Sequence, residues 1–305
     1  MVRILSKYWK NIIKIGRQEI YLAYLFIFPG LFAILSLLLY PLIFGIRTSF
    51  FRKVIGAPGQ FIGLANYQEL FSSVEFWEIS INSAIWTSVG VAGGIFIGLA
   101  LALLLNTQLK GRMIGRTLFL IPWAVPNVAA AIIWRWIFAN PYGFLNHFLR
   151  IIGIVDRPIP WLSSPNLALW AVIIVAVWRN YPFAMIVILA SLQSIPEEYY
   201  EVSQLDGAGV WQRFRHVTLP LIKPTLLIVT ILQTIWTFNS FDIVYVMTQG
   251  GPQHYSEILS TFAYEAAFEA MRAGRGAAIA SIMFGVLIVC AIIYMNVYWR
   301  WEEVR

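Results

Sequence analysis

Polar side chains that recur at helical spacing inside otherwise apolar runs carry most of the chemistry available to this chain. Gln233, Thr237 and Ser240 repeat at four and three residues, Asn180 and Phe183 lie three apart, and Trp123 and Asn127 lie four apart. Each set therefore occupies one helical stripe. Neutral hydrogen-bonding groups beside aromatic rings suit a molecule with apolar faces and hydroxyl edges, such as a sugar. The same residue types also bind helices to one another inside a membrane, and spacing leaves both readings open. Arg179 lies near the middle of its run, and Asp242 is the only acid inside any run. A charge at that depth costs about 3 kcal/mol or more, so Asp242 is the candidate partner of Arg179, with gating or ligand contact as the alternatives. Arg135, between Trp134 and Trp136, is expected to snorkel toward an interface.

Catalytic chemistry has no comparable support. His147 and His254 fall in separate outer loops and His216 on the opposite side, with no spacing that would build a metal site. No Ser, His and Asp arrangement is legible. None of the six lysines follows a glycine-rich phosphate loop, so the chain lacks that device for holding ATP. Cys290 is the single cysteine, which excludes an intrachain disulfide and makes it a packing residue. The chain is read as non-catalytic, with no cofactor and no metal of its own.

The elements that position these residues follow from composition. The 305 residues are 59% hydrophobic and only 12% charged, with a mean hydropathy of +0.72. Soluble domains carry about 25% charged residues, so this is an integral membrane protein. Six apolar runs are long enough to cross a hydrocarbon core of about 30 Å: Tyr21 to Ile46, Asn82 to Leu105, Leu118 to Ala139, Leu167 to Ser191, Thr225 to Met247 and Ala277 to Val297. The fold class is all-α, six transmembrane helices, with both termini on one side. Thirteen Lys and Arg fall in the termini and the even-numbered connections, against seven in the others, with Arg135 and Arg179 inside spans. That asymmetry places the termini in the cytoplasm. The net charge of +7 then reports topology and contact with anionic lipid, not nucleic acid. Residues 1–20 read as a cationic amphipathic helix on the inner leaflet, with Ile4, Leu5, Tyr8, Trp9, Ile12 and Ile13 at helical spacing.

One cytoplasmic stretch is far more polar than its surroundings. In "SIPEEYYEVSQLDG" Ser194 and Glu197 have the spacing of a capping box, Pro196 fits a first turn, and Gly207 suits the position just past a helix end. Ile195, Tyr199, Val202 and Leu205 share one face, and Glu197, Glu201 and Gln204 another. A second pattern, Trp211, Phe214 and Val217, leads to Pro220 and Pro224, which bracket entry into the fifth span. The helix would rest on lipid headgroups or dock a soluble partner. Its acids, Glu197, Glu198, Glu201 and Asp206, would be repelled by an anionic leaflet, which favours the partner.

"EVSQLDGAGVWQRFRHVTLP" resembles the cytoplasmic signature of binding-protein-dependent ABC importer permeases: E-A-A, three residues, G, nine residues, I-x-L-P. Glu201, Gly207, Val217, Leu219 and Pro220 fall at those places with the same gaps, while Val202 and Ser203 stand where the family has alanines. "FIGLANYQELF", "IPWAVPNV", "WRNYPFAM", "FNSFDIVYVMTQGGP" and "TFAYEAAF" resemble carbohydrate-importer permeases, in particular the first of the two permeases in maltose-type systems, over roughly Phe26 to Tyr298.

The resemblance implies a type I ABC importer permease: a coupling loop at 192–224 within a six-span domain at 21–299, and a cytoplasmic tail at 300–305. It implies that Glu198, Glu201, Val202, Ser203, Leu205, Asp206, Gly207 and Pro220 engage an ATPase. It also implies that Trp123, Asn127, Asn180, Phe183, Gln233, Thr237 and Ser240 line a sugar path. The partners it implies are a second permease, two ATP-binding subunits that hold ATP and Mg, and an extracellular solute-binding protein. Docking surface for the last would come from the outer loops and from "PYGFLNHFLRII", an expected interfacial helix through Phe144, Phe148 and Ile151. The rival from another class is an ion-coupled secondary transporter. Such proteins usually carry titratable intramembrane carboxylates and an internal repeat; here there is one acid and no visible repeat.

Overall fold

A computed structural model describes residues 21–107 and 110–302. The expected amphipathic segment at 1–20 and the last three residues of the tail lie outside them. Helices long and apolar enough to cross a membrane are Tyr21–Ser49, Val74–Asn106, Ala168–Gln193, Val210–Phe238 and Ala273–Tyr298. The pair Arg112–Ala124 and Asn127–Ile137, bent by 95°, brings the number of spans to six when counted as one.

Two expected spans are not single helices. The third breaks at Val125, which is extended (φ −75°, ψ 129°), ahead of Pro126. A proline disfavours the α region for the residue before it and lacks the N–H that the ladder needs. The fifth ends at Phe238 and resumes as a short helix, Asp242–Met247. The fourth helix runs unbroken through Asn180 and Pro182. One smaller expectation also changes: Ser194 does not cap the loop helix. Its hydroxyl donates instead to the Ser191 carbonyl at 2.8 Å, finishing the fourth span. The loop helix, Glu198–Leu205, begins after Glu197 with no side-chain cap.

The second and fourth spans form the centre of the fold. Gly90, Gly94, Gly98 and Ala102 repeat every four residues and are buried. A Cβ added at Gly98 would stand 2.6 Å from Ala184 Cβ, 2.8 Å from Met185 N and 2.9 Å from Tyr181 O. Without hydrophobic drive between helices in lipid, such small residues let backbones approach closely enough for dispersion to hold them. Around this seam Ala184, Met185, Ile188, Leu189, Ile222 and Val229 pack at one end. Trp86, Phe138, Val172, Val175 and Val244 pack at the other.

Short elements close that second end. The strands Phe51–Arg52 and Gln60–Phe61 pair antiparallel, and the helix Ala65–Ser72 follows. Arg272, just before the sixth span, lies 2.7 Å from Glu69 on that helix, and this hydrogen bond holds the Glu69 carboxyl below its usual range despite partial burial. The helix expected at the interface forms at Phe144–Ile151, with Phe144 and Phe148 stacked and exposed. Buried Asn146 fastens it, bonding the Ile159 backbone in both directions.

Candidate functional site

All seven residues expected on the path line one cavity of about 320 Å3, in the range of small-ligand sites. Trp123 and Asn127 reach it from either side of the third-span break, Asn180 and Phe183 from the fourth span, and Gln233, Thr237 and Ser240 from the fifth. Phe183 sits between two tryptophans, 4.9 Å edge-on to Trp236 and 6.4 Å from Trp123. Trp123 and Trp236 each remain 51% exposed, so this wall of rings is uncovered on one side.

The polar stripe is also helix glue. The Asn180 side chain donates to Thr237 Oγ1 at 2.9 Å, and Gln233 Nε2 donates to the Asn180 carbonyl at 2.8 Å. Gln233 Oε1 has no partner among the described residues despite burial. The same residues therefore line the cavity and bond the fourth and fifth helices to each other. Two aromatic wall residues, besides Ala176 and Ile243, were not picked out from sequence. Trp236 was legible, three positions after Gln233; Trp86 was not, and it is placed by donating its indole N–H to the Thr237 carbonyl at 2.8 Å.

Arg179 and Asp242 do not pair directly. The guanidinium donates through Nη1 to the carbonyls of Pro122 (2.7 Å) and Trp123 (2.6 Å), and through Nε to Asn127 Oδ1 (2.7 Å). Asn127 Nδ2 in turn donates to Asp242 Oδ2 at 3.2 Å. The chain's own geometry explains this choice. In an unbroken helix the Pro122 carbonyl would accept from residue 126, but that residue is a proline, and the bend removes the donor for Trp123. Unsatisfied carbonyls are not tolerated in hydrocarbon. Arg179 supplies both missing donors and sets a positive charge at the negative end of the half-helix. Arg135 does not simply snorkel; it donates to the Val246 carbonyl at 3.3 Å.

At the other end the loop helix Glu198–Leu205 closes on a left-handed Gly207 (φ +77°). The Gly207 N–H donates to Gln204 O and the Ala208 N–H to Ser203 O, at 3.0 and 2.9 Å, the paired bonds that terminate helices at glycine. Glu198, Glu201, Val202, Leu205, Asp206 and Pro220 are all exposed, Val202 at 58% and Leu205 at 88%. The apolar face is thus not covered by the described residues. Tyr200 Oη lies 3.1 Å from Thr218 Oγ1, which ties the loop helix to the root of the fifth span. That span does not start at Thr225. It is continuous from Val210, passing Pro220 through a π turn at Phe214–Thr218.

The three histidines have no spacing in the sequence that would build a metal site, but ligand atoms of His254, Glu257 and Glu265 all lie within 4.8 Å of one another. The spacing of His254 and Glu257 was visible; Glu265 is brought by the turn of the chain.

Residues 94–301 match the family model described as binding-protein-dependent transport system inner membrane component. A trehalose/maltose transport system permease protein of Thermococcus litoralis is 37% identical over 285 residues, covering 93% of this chain and 96% of the relative. A sulfoquinovosyl glycerol transport system permease protein of Agrobacterium fabrum is 35% identical over 302 residues, covering 97% of each. Among solved structures, a chain of a bacterial alginate ABC transporter in complex with an alginate pentasaccharide-bound periplasmic protein is 25% identical, with a TM-score of 0.80 over 94% of this chain and 95% of that one.

Proposed function

From the premise that the chain belongs to the binding-protein-dependent transport system inner membrane components, we propose that it is the multi-pass permease of a sugar-importing ABC transporter and forms half of the path. The observation that carries the reading is the cavity: seven polar and aromatic residues from three separated stretches converge on about 320 Å3. One wall, at Trp123 and Trp236, awaits a covering surface. A second permease would supply that surface, two ATP-binding subunits would supply ATP and Mg at the loop helix, and a solute-binding protein would dock on the outer loops. The relatives are named for trehalose or maltose and for sulfoquinovosyl glycerol. Their chemistry supports a di- or oligosaccharide or a glycoside as cargo. Against the ion-coupled alternative, Asp242, the one acid such a transporter could use, is bound to Asn127.

In this reading both termini are cytoplasmic, and the loop at 192–224 carries motion inward. The helix from Val210 to Phe238 has 29 residues, about 43 Å of rod at 1.5 Å per residue. Its root is tied to the loop helix through Thr218, and its far half holds Gln233 and Thr237. A displacement imposed at the loop therefore reaches the cavity wall without a flexible joint. Alternating access is then a shift between two packings of the bundle.

The direct test is mild-detergent purification of the tagged chain from its native membrane, with identification of retained proteins. A phosphate-loop ATPase and a second permease are expected; a chain that purifies alone from membranes with intact uptake would remove the reading. Trp236→Ala separates cargo contact from helix glue, because Trp236 is outside the Gln233–Asn180–Thr237 bonds. Apparent affinity for sugar is expected to fall about tenfold, near 1.4 kcal/mol, in line with a lost ring contact. Unchanged uptake would leave the rings as packing.

A further inference from the structure

Beyond the transport path, one cluster at the end opposite the coupling loop has chemistry that transport by the cavity does not use. His254 and Glu257 come from the loop after the fifth span, and Glu265 opens a π turn at Glu265–Glu269. Glu257 is 1% exposed and Glu265 half-buried, so two carboxylates face each other largely out of water. We infer that His254, Glu257 and Glu265 form a binding site for a divalent transition-metal ion of the zinc class.

Three observations converge on it. One imidazole and two carboxylates, with ligand atoms within 4.8 Å of one another, are ligand types that zinc accepts, and three protein ligands leave a fourth position open. The imidazole is already oriented as in such sites. Its Nδ1 faces the Glu257 carboxylate, and its Nε2 lies 3.4 Å from Glu75 Oε1 on the second span, the outer carboxylate that typically fixes a ligating histidine. The loop is also held independently of any ion. The Asn82 side chain donates to the carbonyls of His254 and Tyr255, Ser83 accepts from Leu259 N at 2.7 Å, and buried Ser256 bonds Thr248 and Gly251. Gly250 (φ +81°) makes room, since a Cβ there would stand 3.0 Å from Glu257 Cβ.

Softer imidazole with carboxylate selects zinc-class ions over magnesium and calcium, which prefer oxygen alone. A bound ion would join the loop to the segment leading into the sixth span, beside a cavity of about 420 Å3.

The test uses the intact purified assembly and zinc chloride as probe, with bound zinc per chain measured after desalting. The wild type is expected to retain one zinc that Glu265→Gln loses, with affinity weakened about 100-fold or more, the upper end of what losing even an outer ligand costs. His254→Ala is expected to behave the same way. Glu265→Gln preserves shape, and its folding is checked by monodisperse elution, so the loss reads binding. Zinc absent from the wild type, equal retention by Glu265→Gln, or displacement by equimolar calcium would each overturn the site. These outcomes do not depend on the sugar reading.

Discussion

Gly207→Pro is expected to leave the chain in the membrane at normal abundance while sugar uptake falls to background. Gly207 sits at φ +77°, and proline is locked near −65°. The substitution also deletes the N–H that donates to Gln204 O at 3.0 Å. Both effects unwind the end of the loop helix, displacing Leu205 and Asp206, the exposed residues expected against the ATPase. Gly207→Ala grades the effect. Nothing lies within 4 Å of an added Cβ, so alanine meets only the left-handed backbone cost of about 1–2 kcal/mol. Partial uptake is expected there. The measurement is uptake beside ATPase co-purification from the same membranes; normal transport by Gly207→Pro would end the assignment of this loop to coupling.

Gly98→Leu is expected to prevent a stable bundle from forming. At Gly98 even a methyl carbon would fall under 3.0 Å from Met185 N and Tyr181 O, which are backbone atoms and cannot rotate away. Overpacking ordinarily costs about 1–3 kcal/mol when side chains can shift. Here the second and fourth helices must separate, and at least that much again is lost in their contact. Loss of monodisperse protein in detergent is the expected readout. Gly90→Ala is the internal control, because its Cβ would meet Thr237 Cγ2 at 3.4 Å and Ala176 Cβ at 3.6 Å, ordinary contact. If Gly98→Leu folds as well as Gly90→Ala, the close seam does not hold the bundle.

Much of this was legible from periodicity and hydropathy. Burial in lipid demands long apolar helices, so the first, fourth and sixth spans appear close to their expected limits, the second begins earlier, at Val74 rather than Asn82, and the third appears as a bent pair. The break at Val125 was written in the "VPN" tripeptide but masked by an apolar run that continues across it. The break after Phe238 carries no proline or glycine. It is tolerated because Asn239 Nδ2 donates to the Ile235 carbonyl and Ser260 donates to the Ser240 carbonyl, and the second of those is a tertiary contact. The capping box failed through competition: Ser194 satisfied the carbonyl behind it before reaching the N–H ahead. The seven cavity residues were found because their spacing is local. The bridge through Asn127 was not, because which carbonyls Arg179 must serve depends on a bend that hydropathy does not reveal.

The π turn at Phe214–Thr218 holds one residue more than an α turn of the same span would. Angular phase along a helix advances about 100° per residue. That single extra residue therefore sets the rotational offset between the loop at one end of the rod and the Gln233–Thr237 face at the other. The two ends are phased like cams on one shaft, so evolution can alter either surface by substitution but not by a one-residue insertion or deletion between them.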